Sequence, residues 1–321
     1  MTGHPLNVLV VHGIGDYPTV ITEFGRDLTA AVRRCLGEVS DRYHLPGAPR
    51  GPLLNVIPGQ WASVPEGFLK ELERRLFSGR VDRLRAFAMR FMGDVIAYQG
   101  AAVYEEIHRA LADALRRRLK TESGHLTVVA HSLGSIIASD FIYDHTRRCG
   151  SGFRDHFGVD FVNFFTVGSP LALYAAHAPA GGVGNGGPGL MVDRFDAPVR
   201  VESASGVWLN IYDTDDVVGY PLTSLNEAYA TAVTADVVIE AGNLLTRWNL
   251  LSHNAYWTED AVVTMLGEKL AIDYAACNLG LQGAQCQDAL AQYRRRVVSG
   301  ASPKADSSVG RTRPVSSTHP V

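Results

Sequence analysis

The sequence predicts an α/β fold in which helices cover both faces of a mainly parallel central sheet. Short apolar runs rich in β-branched and aromatic residues alternate with longer stretches whose apolar residues recur at helical spacing. The short runs are bounded by Gly, Pro or Asp, which are typical of turns. The composition suits an ordinary globular domain, because 46% of the 321 residues are hydrophobic and 20% are charged.

Six of the short runs are predicted to be strands. They lie at residues 6–11, 53–57, 126–130, 161–167, 207–212 and 236–240. Two amphipathic stretches between them are predicted to be helices that face the core. The first carries Phe24, Leu28, Ala31, Val32 and Cys35, and the second carries Val103, Ile107, Leu111 and Leu115. The positive charges at 116–120 suit the end of the second helix, so we interpret them as structural rather than as a membrane or anion site.

Residues 63–99 are predicted to form a helical insertion after the second strand. Ser63 followed by Glu66 fits a capping box, with Pro65 in the first turn, and a further apolar stretch runs through 87–98. This is more helix than one crossover needs. Two interpretations stay open, a cap over an active site and a plain helical layer.

One domain is predicted over residues 1–298. A segment dominated by Gly, Ala and Pro at 178–189 is expected to be a flexible loop, and residues 299–321 are expected to be a disordered tail. Glycines at 182, 184 and 187 match GxGxxG spacing. No strand precedes them and Pro188 follows, so a dinucleotide site is not expected.

The net charge, the N-terminal sequence and the positions of the cysteines make several kinds of partner, location and cofactor unexpected. A net charge of -3 gives no reason to expect a nucleic-acid partner. No signal-like start or membrane-length apolar run is seen, so a cytoplasmic location is expected. Cys35, Cys149, Cys277 and Cys286 are expected to be free thiols, with a Cys277–Cys286 pair as the alternative. Histidine and cysteine show no close metal-ligand spacing, so neither a metal nor another cofactor is expected.

Ser132 is the predicted nucleophile. It lies in the sequence AHSLG at 130–134, where an apolar run ends and a helix-forming run begins. Small residues at Ala130 and Gly134 allow a tight, strained turn that exposes a serine hydroxyl. The serine needs a base, a carboxylate and preorganised donors for the developing oxyanion.

Two backbone amides are predicted to supply those donors. Leu133 follows the nucleophile at a helix N-terminus. After the first strand, HGIG at 12–15 can present the amide of Ile14 in a turn made by Gly13 and Gly15. Such a turn is also common in nucleotide-binding folds, but the Lys-Ser/Thr of a phosphate loop is missing. His12 and His131 are interpreted as shaping these turns.

The chain resembles the α/β-hydrolase superfamily, and within it the serine lipases and esterases, through AHSLG at 130–134 and HGIG at 12–15. The run FTVGSPL at 165–171 is similar to the strand and turn that follow the nucleophile helix in these lipases. The resemblance covers about residues 6–270. It implies a nucleophile, acid and histidine in that order along the chain.

The acid is expected in the loop after the strand at 207–212. Asp213, Asp215 and Asp216 compete, and similarity to lipase stretches favours Asp216. The two others are expected to be turn residues. The base is expected at His253, in a polar break before a helix, within a sequence that resembles the family ending SH-x-x-Y-W.

These residues predict a serine hydrolase that cleaves carboxylic esters through an acyl-enzyme intermediate. The substrate would be an acyl-ester small molecule or a lipid. A thioesterase, acyltransferase or amidase would use the same acyl-serine, and a non-catalytic scaffold that binds a ligand is a further alternative. The oligomeric state and the identity of the substrate stay open.

Overall fold

The computed structural model describes residues 3–13, 18–61, 63–64, 93–148, 152–176, 197–241 and 252–299. Six strands there form one sheet: β1 (Leu6–Val11), β2 (Leu54–Pro58), β3 (His125–His131), β4 (Asp160–Val167), β5 (Val207–Tyr212) and β6 (Ala235–Val238). Every neighbouring pair is parallel. The predicted α/β class with a parallel sheet is confirmed. Strands β1 and β5 have the predicted bounds, and the ends of the other strands differ from the predicted ones by at most two residues.

Eight α-helices are described. They are α1 (Pro18–Tyr43), α2 (Ala101–Arg118), α3 (Leu133–Tyr143), α4 (Phe153–Phe157), α5 (Leu171–Ala176), α6 (Glu227–Ala232), α7 (Asp260–Asn278) and α8 (Gly283–Val298). Short 3-10 helices occupy Thr121–Ser123 and Ser252–Thr258, and one π-helical turn spans Asp144–Arg148. The two amphipathic helices expected from the sequence are α1 and α2, and their apolar stripes face the core.

The sheet has a separate apolar core on each face because successive side chains of a strand point to opposite sides. In β1, Leu6, Val8 and Val10 enter one core, whereas Leu9 and Val11 enter the other. The first core also contains apolar side chains of α1, α7 and α8, and the second contains those of α2 and α3. The helices therefore cover both faces, as predicted.

The strand order is β2-β1-β3-β4-β5-β6. The chain runs outward from β1 to β2, returns to the other side of β1, and then advances in the opposite direction through β3 to β6. The direction of winding thus reverses between β1 and β3. Ligand sites of open parallel sheets lie beyond the carboxyl ends of the strands at such a reversal, which is where residues 12–13 and Ser132 follow their strands.

Helix α7 carries a buried ion pair into the core near the amino ends of β3 and β4. The Nζ atom of Lys269 lies 2.5 Å and 2.6 Å from the two carboxylate oxygens of Asp273. Oδ2 of Asp273 also accepts from Asn163 at 2.8 Å and lies 3.2 Å from Nε2 of His125. Burial raises the pKa of Asp273, but the Lys269 charge and the contacts with His125 outweigh burial and keep the carboxyl ionised.

The ends of the described chain pack against each other. Helix α1 lies along α7, and the ring of Phe24 meets that of Trp257 edge-on with centroids 4.9 Å apart. The amide of His4 donates to Oδ1 of Asn278 at 2.7 Å, and the hydroxyl of Tyr43 donates to Asp288 at 2.8 Å. His4 and helix α1 are therefore held by the last two helices and the 3-10 segment that precedes them.

Some predictions fall partly or wholly outside the described residues. The expected insertion at 63–99 is described only at 63–64 and 93–99, the expected loop at 178–189 is not described, and only Ser299 of the expected tail is. The thiols of Cys35, Cys277 and Cys286 are free, so the alternative Cys277–Cys286 pair is not formed. Within the described ranges, no helix is long and apolar enough to cross a membrane.

Candidate active site

Ser132 occupies a strained turn between β3 and α3. Its φ of 53° and ψ of -133° are unusual for a residue with a side chain. The amide of Ser132 donates to the carbonyl of Val167 on β4 at 3.0 Å. The carbonyl of Ser132 accepts from the amide and the hydroxyl of Ser135, at 2.9 Å and 2.6 Å. These bonds hold the hydroxyl of Ser132 at the carboxyl end of the sheet.

Two glycines allow the end of β1 to approach this turn. A Cβ atom at Gly134 would lie 2.3 Å from the carbonyl oxygen of His12 and 2.5 Å from that of Val11. A Cβ atom at Gly13 would lie 2.7 Å from Cβ of Ser132. All three distances are too short for a carbon atom in contact, so the two predicted motifs require glycine at these positions because of their mutual packing.

His253 connects the serine to a carboxylate. It lies in the 3-10 segment Ser252–Thr258, where its Nε2 is 2.6 Å from Oγ of Ser132 and its Nδ1 is 2.8 Å from Oδ2 of Asp216. An ionised carboxylate only accepts hydrogen bonds, so Nδ1 carries the hydrogen and Nε2 is left to accept from the hydroxyl. The three side chains, predicted from sequence as nucleophile, base and acid, are therefore brought into one hydrogen-bonded chain.

Asp216 is held as a carboxylate in the loop after β5. Its Oδ1 accepts from the amide of Val218 at 3.0 Å. Its Oδ2 accepts from His253 and also from the hydroxyl of Tyr256 at 2.8 Å. Burial raises the pKa of Asp216, but His253, Val218 and Tyr256 outweigh burial, and the pKa lies below the usual carboxyl range.

The two competing aspartates make other contacts. Asp213 accepts from the amide of Asp215 at 2.9 Å with one oxygen and from the amide of Ala241 at 2.6 Å with the other. Asp215 is exposed at the tip of the turn. Both contacts of Asp213 shape the backbone of the loop, so Asp216 is the aspartate that the fold brings to His253.

The expected oxyanion donors are only partly described. Leu133 is the first residue of α3, so its amide belongs to the first turn, whose N–H groups lack an acceptor within the helix. Gly13 is described and lies against Ser132. Ile14 and Gly15 lie outside the described residues, and the role of the Ile14 amide stays a prediction.

The site contains three contributions that sequence reasoning did not assign. Tyr256 and Gly168 both lie in motifs quoted for the family resemblance, yet neither was given a role. Gly168 has a φ of 53°, and a Cβ atom there would lie 2.7 Å from the Tyr256 ring, 3.1 Å from Oδ2 of Asp216 and 3.2 Å from Cε1 of His253. Glycine at 168 therefore leaves room for the side chains of Asp216 and His253.

His131 is the third. It was expected to shape the serine turn, but its Nε2 also lies 2.6 Å from the backbone carbonyl oxygen of His253. His12 behaves as expected for a turn residue: its Nδ1 contacts the carbonyl of Gly13 at 2.7 Å, and its own carbonyl accepts from the Trp61 indole at 3.0 Å.

The three hydrogen-bonded residues are buried: Ser132 and His253 are each 1% exposed, and Asp216 is 5% exposed. In the described part of the chain, no group of three or more His, Cys, Asp and Glu side chains is arranged to hold a metal ion. A hydroxyl beside an oriented imidazole can act as a nucleophile because the imidazole takes its proton during attack.

No protein-family model matches the chain, and no curated protein matches it.

Proposed function

We propose that the protein is a serine hydrolase with an α/β-hydrolase fold that cleaves carboxylic esters through an acyl-enzyme intermediate. The observation that carries the proposal is the continuous hydrogen-bonded chain from Oγ of Ser132 through both ring nitrogens of His253 to Oδ2 of Asp216. The order along the chain also supports the proposal. Ser132 follows β3, Asp216 follows β5 and His253 comes after β6, so nucleophile, acid and histidine occur in the expected order at the carboxyl end of a parallel sheet.

The geometry is suited to acyl transfer in two stages. In the first, Oγ of Ser132 forms a bond to the ester carbonyl carbon while Nε2 of His253 takes the hydroxyl proton. Asp216 holds the imidazole by its Nδ1–H and stabilises the positive charge that forms on the ring. The carbonyl π electrons move onto oxygen, which the amide of Leu133 and the predicted amide of Ile14 would stabilise, a contribution of about 3 to 4 kcal/mol per donor.

The ester C–O bond then breaks as the oxyanion returns its electron pair, and His253 gives its proton to the departing alkoxide. Water enters with His253 as base, adds to the acyl carbon and displaces Ser132 by the same route. The products are an acid and an alcohol, and the serine hydroxyl is restored.

A fluorophosphonate probe and a chromogenic ester series of increasing acyl length test this function. The purified protein should be labelled at Ser132, as located by peptide mass spectrometry, and should hydrolyse the esters. Ser132→Ala should lose both properties. Ser205→Ala is a matched control, because Ser205 lies just before the amino end of β5, whereas Ser132 lies at the carboxyl ends of the strands. Labelling or turnover that persists in Ser132→Ala refutes the proposal, and labelling without ester turnover contradicts ester hydrolysis as the reaction.

A further inference from the structure

We propose that His131 is a positioning residue for the base: its ring donates a hydrogen bond to the backbone carbonyl of His253 and packs against the His253 ring, which keeps that imidazole between Ser132 and Asp216. This inference rests on the proposed function, in which His253 is the base. It gives the residue before the nucleophile a role beyond shaping the serine turn.

The hydrogen bond has a defined direction. Nε2 of His131 lies 2.6 Å from the carbonyl oxygen of His253, a separation of 122 positions along the chain. A carbonyl only accepts, so Nε2 of His131 must carry the hydrogen. The bond therefore links the last residue of β3 to the segment that carries the base.

Ring packing adds a second constraint. The centroid of the His131 ring lies 4.8 Å from that of His253 and 5.3 Å from that of Trp257. His131 thus contacts the 3-10 segment Ser252–Thr258 through the rings of His253 and Trp257 as well as through the carbonyl of His253. The packing and the hydrogen bond together restrict movement of this segment relative to β3.

His131 is itself held at the centre of the sheet. It pairs with Val167 in the central β3–β4 ladder and is 2% exposed. Groups on strands position a site more accurately than groups on loops. Because Ser132 follows His131 directly, the nucleophile and the support of its base move together.

A neutral donor suits this position. Burial, together with the nearby His253, lowers the pKa of His131 to about 3, so the ring is uncharged at neutral pH. The groups that face it are His253, Asp216 and His12, with Tyr256 and Trp257 as uncharged neighbours. An uncharged ring adds no repulsion when His253 becomes an imidazolium during turnover, as a lysine or arginine at 131 would.

Three variants test the role. His131→Phe keeps a planar ring and removes the N–H donor, whereas His131→Gln keeps an N–H at similar reach. His145→Phe is the matched control: Nδ1 of His145 contacts the carbonyl of Phe141 at 2.8 Å, one helix length away from Ser132. It removes an imidazole-to-carbonyl contact of the same kind outside the site.

We expect kcat of His131→Phe for the best ester to fall about 10- to 100-fold while KM changes by less than about 3-fold, because only the alignment of the base is lost. His131→Gln should recover to within about 5-fold of the wild-type kcat, because its amide can replace the donor. His145→Phe should keep the wild-type kcat. Equal kcat losses in His131→Phe and His145→Phe, or no recovery in His131→Gln, would overturn the role.

A proton NMR measurement needs no substrate and separates this proposal from the proposed function. The Nδ1 proton shared by His253 and Asp216 should give a far-downfield resonance that is sharp in the wild type and in His131→Gln, and broadened or lost in His131→Phe. A resonance that stays equally sharp in His131→Phe overturns the positioning role. If the resonance behaves as expected but the wild type turns over no ester, the positioning role stands and ester hydrolysis fails.

Discussion

The hydroxyl of Tyr256 donates to the same carboxylate oxygen of Asp216 that accepts from His253. The phenol oxygen also accepts from the amide of Asp213 at 2.9 Å. Tyr256 therefore ties the acid loop to the segment that carries the base. It also supports the ionised form of Asp216, because a donor to a carboxylate stabilises the negative charge.

Tyr256→Phe should weaken both effects. Removing the donor raises the pKa of Asp216 toward its usual range, and the amide of Asp213 loses its acceptor. We expect a stability loss of about 1.5 to 3 kcal/mol at pH 7, in the range of a hydrogen bond to a charged group. Asp216 has a lowered pKa in the folded state, so this contribution is present above the unfolded carboxyl pKa and disappears as the pH falls through the folded value. Urea unfolding of the wild type and of Tyr256→Phe at pH 7 and pH 3 measures this contribution. A stability difference between the two proteins that is larger at pH 3 than at pH 7 contradicts the prediction.

The three aspartates of the acid loop should respond differently to an amide. Asp216→Asn should lower kcat roughly 1,000- to 10,000-fold, because the imidazole loses its orienting charge and its tautomer. Asp213→Asn replaces one of the two oxygens that accept from backbone amides by an NH2 group, and should mainly lower stability, by about 1 to 3 kcal/mol. Asp215→Asn should change neither property. Steady-state ester kinetics with thermal melts compare them, and the assignment is wrong if Asp213→Asn alone abolishes activity.

Gly168→Ala should disturb the acid and base more than the fold. Its new methyl group would meet Tyr256, Asp216 and His253. The control is Gly280→Ala, because Gly280 also has a positive φ, of 82°, but has nothing within 4 Å of the added atom. Both variants carry backbone strain of about 1 to 2 kcal/mol. We expect kcat to fall at least about 100-fold in Gly168→Ala alone, since displacement of the base by about 1 Å has that effect. Comparable activity in the two alanine variants would contradict the steric argument.

His131 should make folding stability depend on pH. The unfolded imidazole titrates near 6.5, whereas burial lowers the folded pKa to about 3. Between these values the unfolded chain binds a proton that the folded chain does not, so stability falls as the pH falls, with a slope of about 1.4 kcal/mol per pH unit. Urea unfolding from pH 7 to pH 4 should show a shallower slope for His131→Gln. Parallel slopes for the two proteins would show that His131 makes no such contribution.

Removing one partner of the Lys269–Asp273 pair should lower the free energy of unfolding more than removing both charges. Lys269→Met leaves the Asp273 charge buried beside His125 and Asn163, and should cost about 3 to 5 kcal/mol. The double change Lys269→Met with Asp273→Asn removes both charges and keeps an amide for these neighbours, so we expect a smaller loss. Chemical denaturation gives the two free energies. A double variant less stable than Lys269→Met would contradict this view of the pair.

Much of the architecture could be predicted because the signals are local. Apolar runs and helical stripes within windows of about 10 residues indicate strands and helices. Ser132 could also be predicted because it lies in the AHSLG motif. His253 could be chosen among the histidines because the family order places the histidine after the acid. The family resemblance implies that Ser132 and His253 lie close together, and the structure adds the distances between their atoms.

The rest depends on contacts between distant parts of the chain. One oxygen of Asp213 accepts from the amide of Ala241, 28 positions away, and no pattern near residue 213 indicates that contact. The contacts of Tyr256 with Asp216 and of His131 with His253 span 40 and 122 positions. Lys269 and Asp273 lie in the helix expected after His253, and nothing in the local sequence indicates that their charges pair inside the core.

The packing of α1 along α7 makes the site a product of the whole chain. A ribosome that has released residues 1–250 has delivered Ser132 and Asp216 but not His253, and the face of β1 that carries Leu6, Val8 and Val10 still lacks α7 as its cover. Domains fold as units during synthesis. The hydrogen-bonded chain from Ser132 through His253 to Asp216 can therefore be completed only after the C-terminal part of the fold has been synthesised.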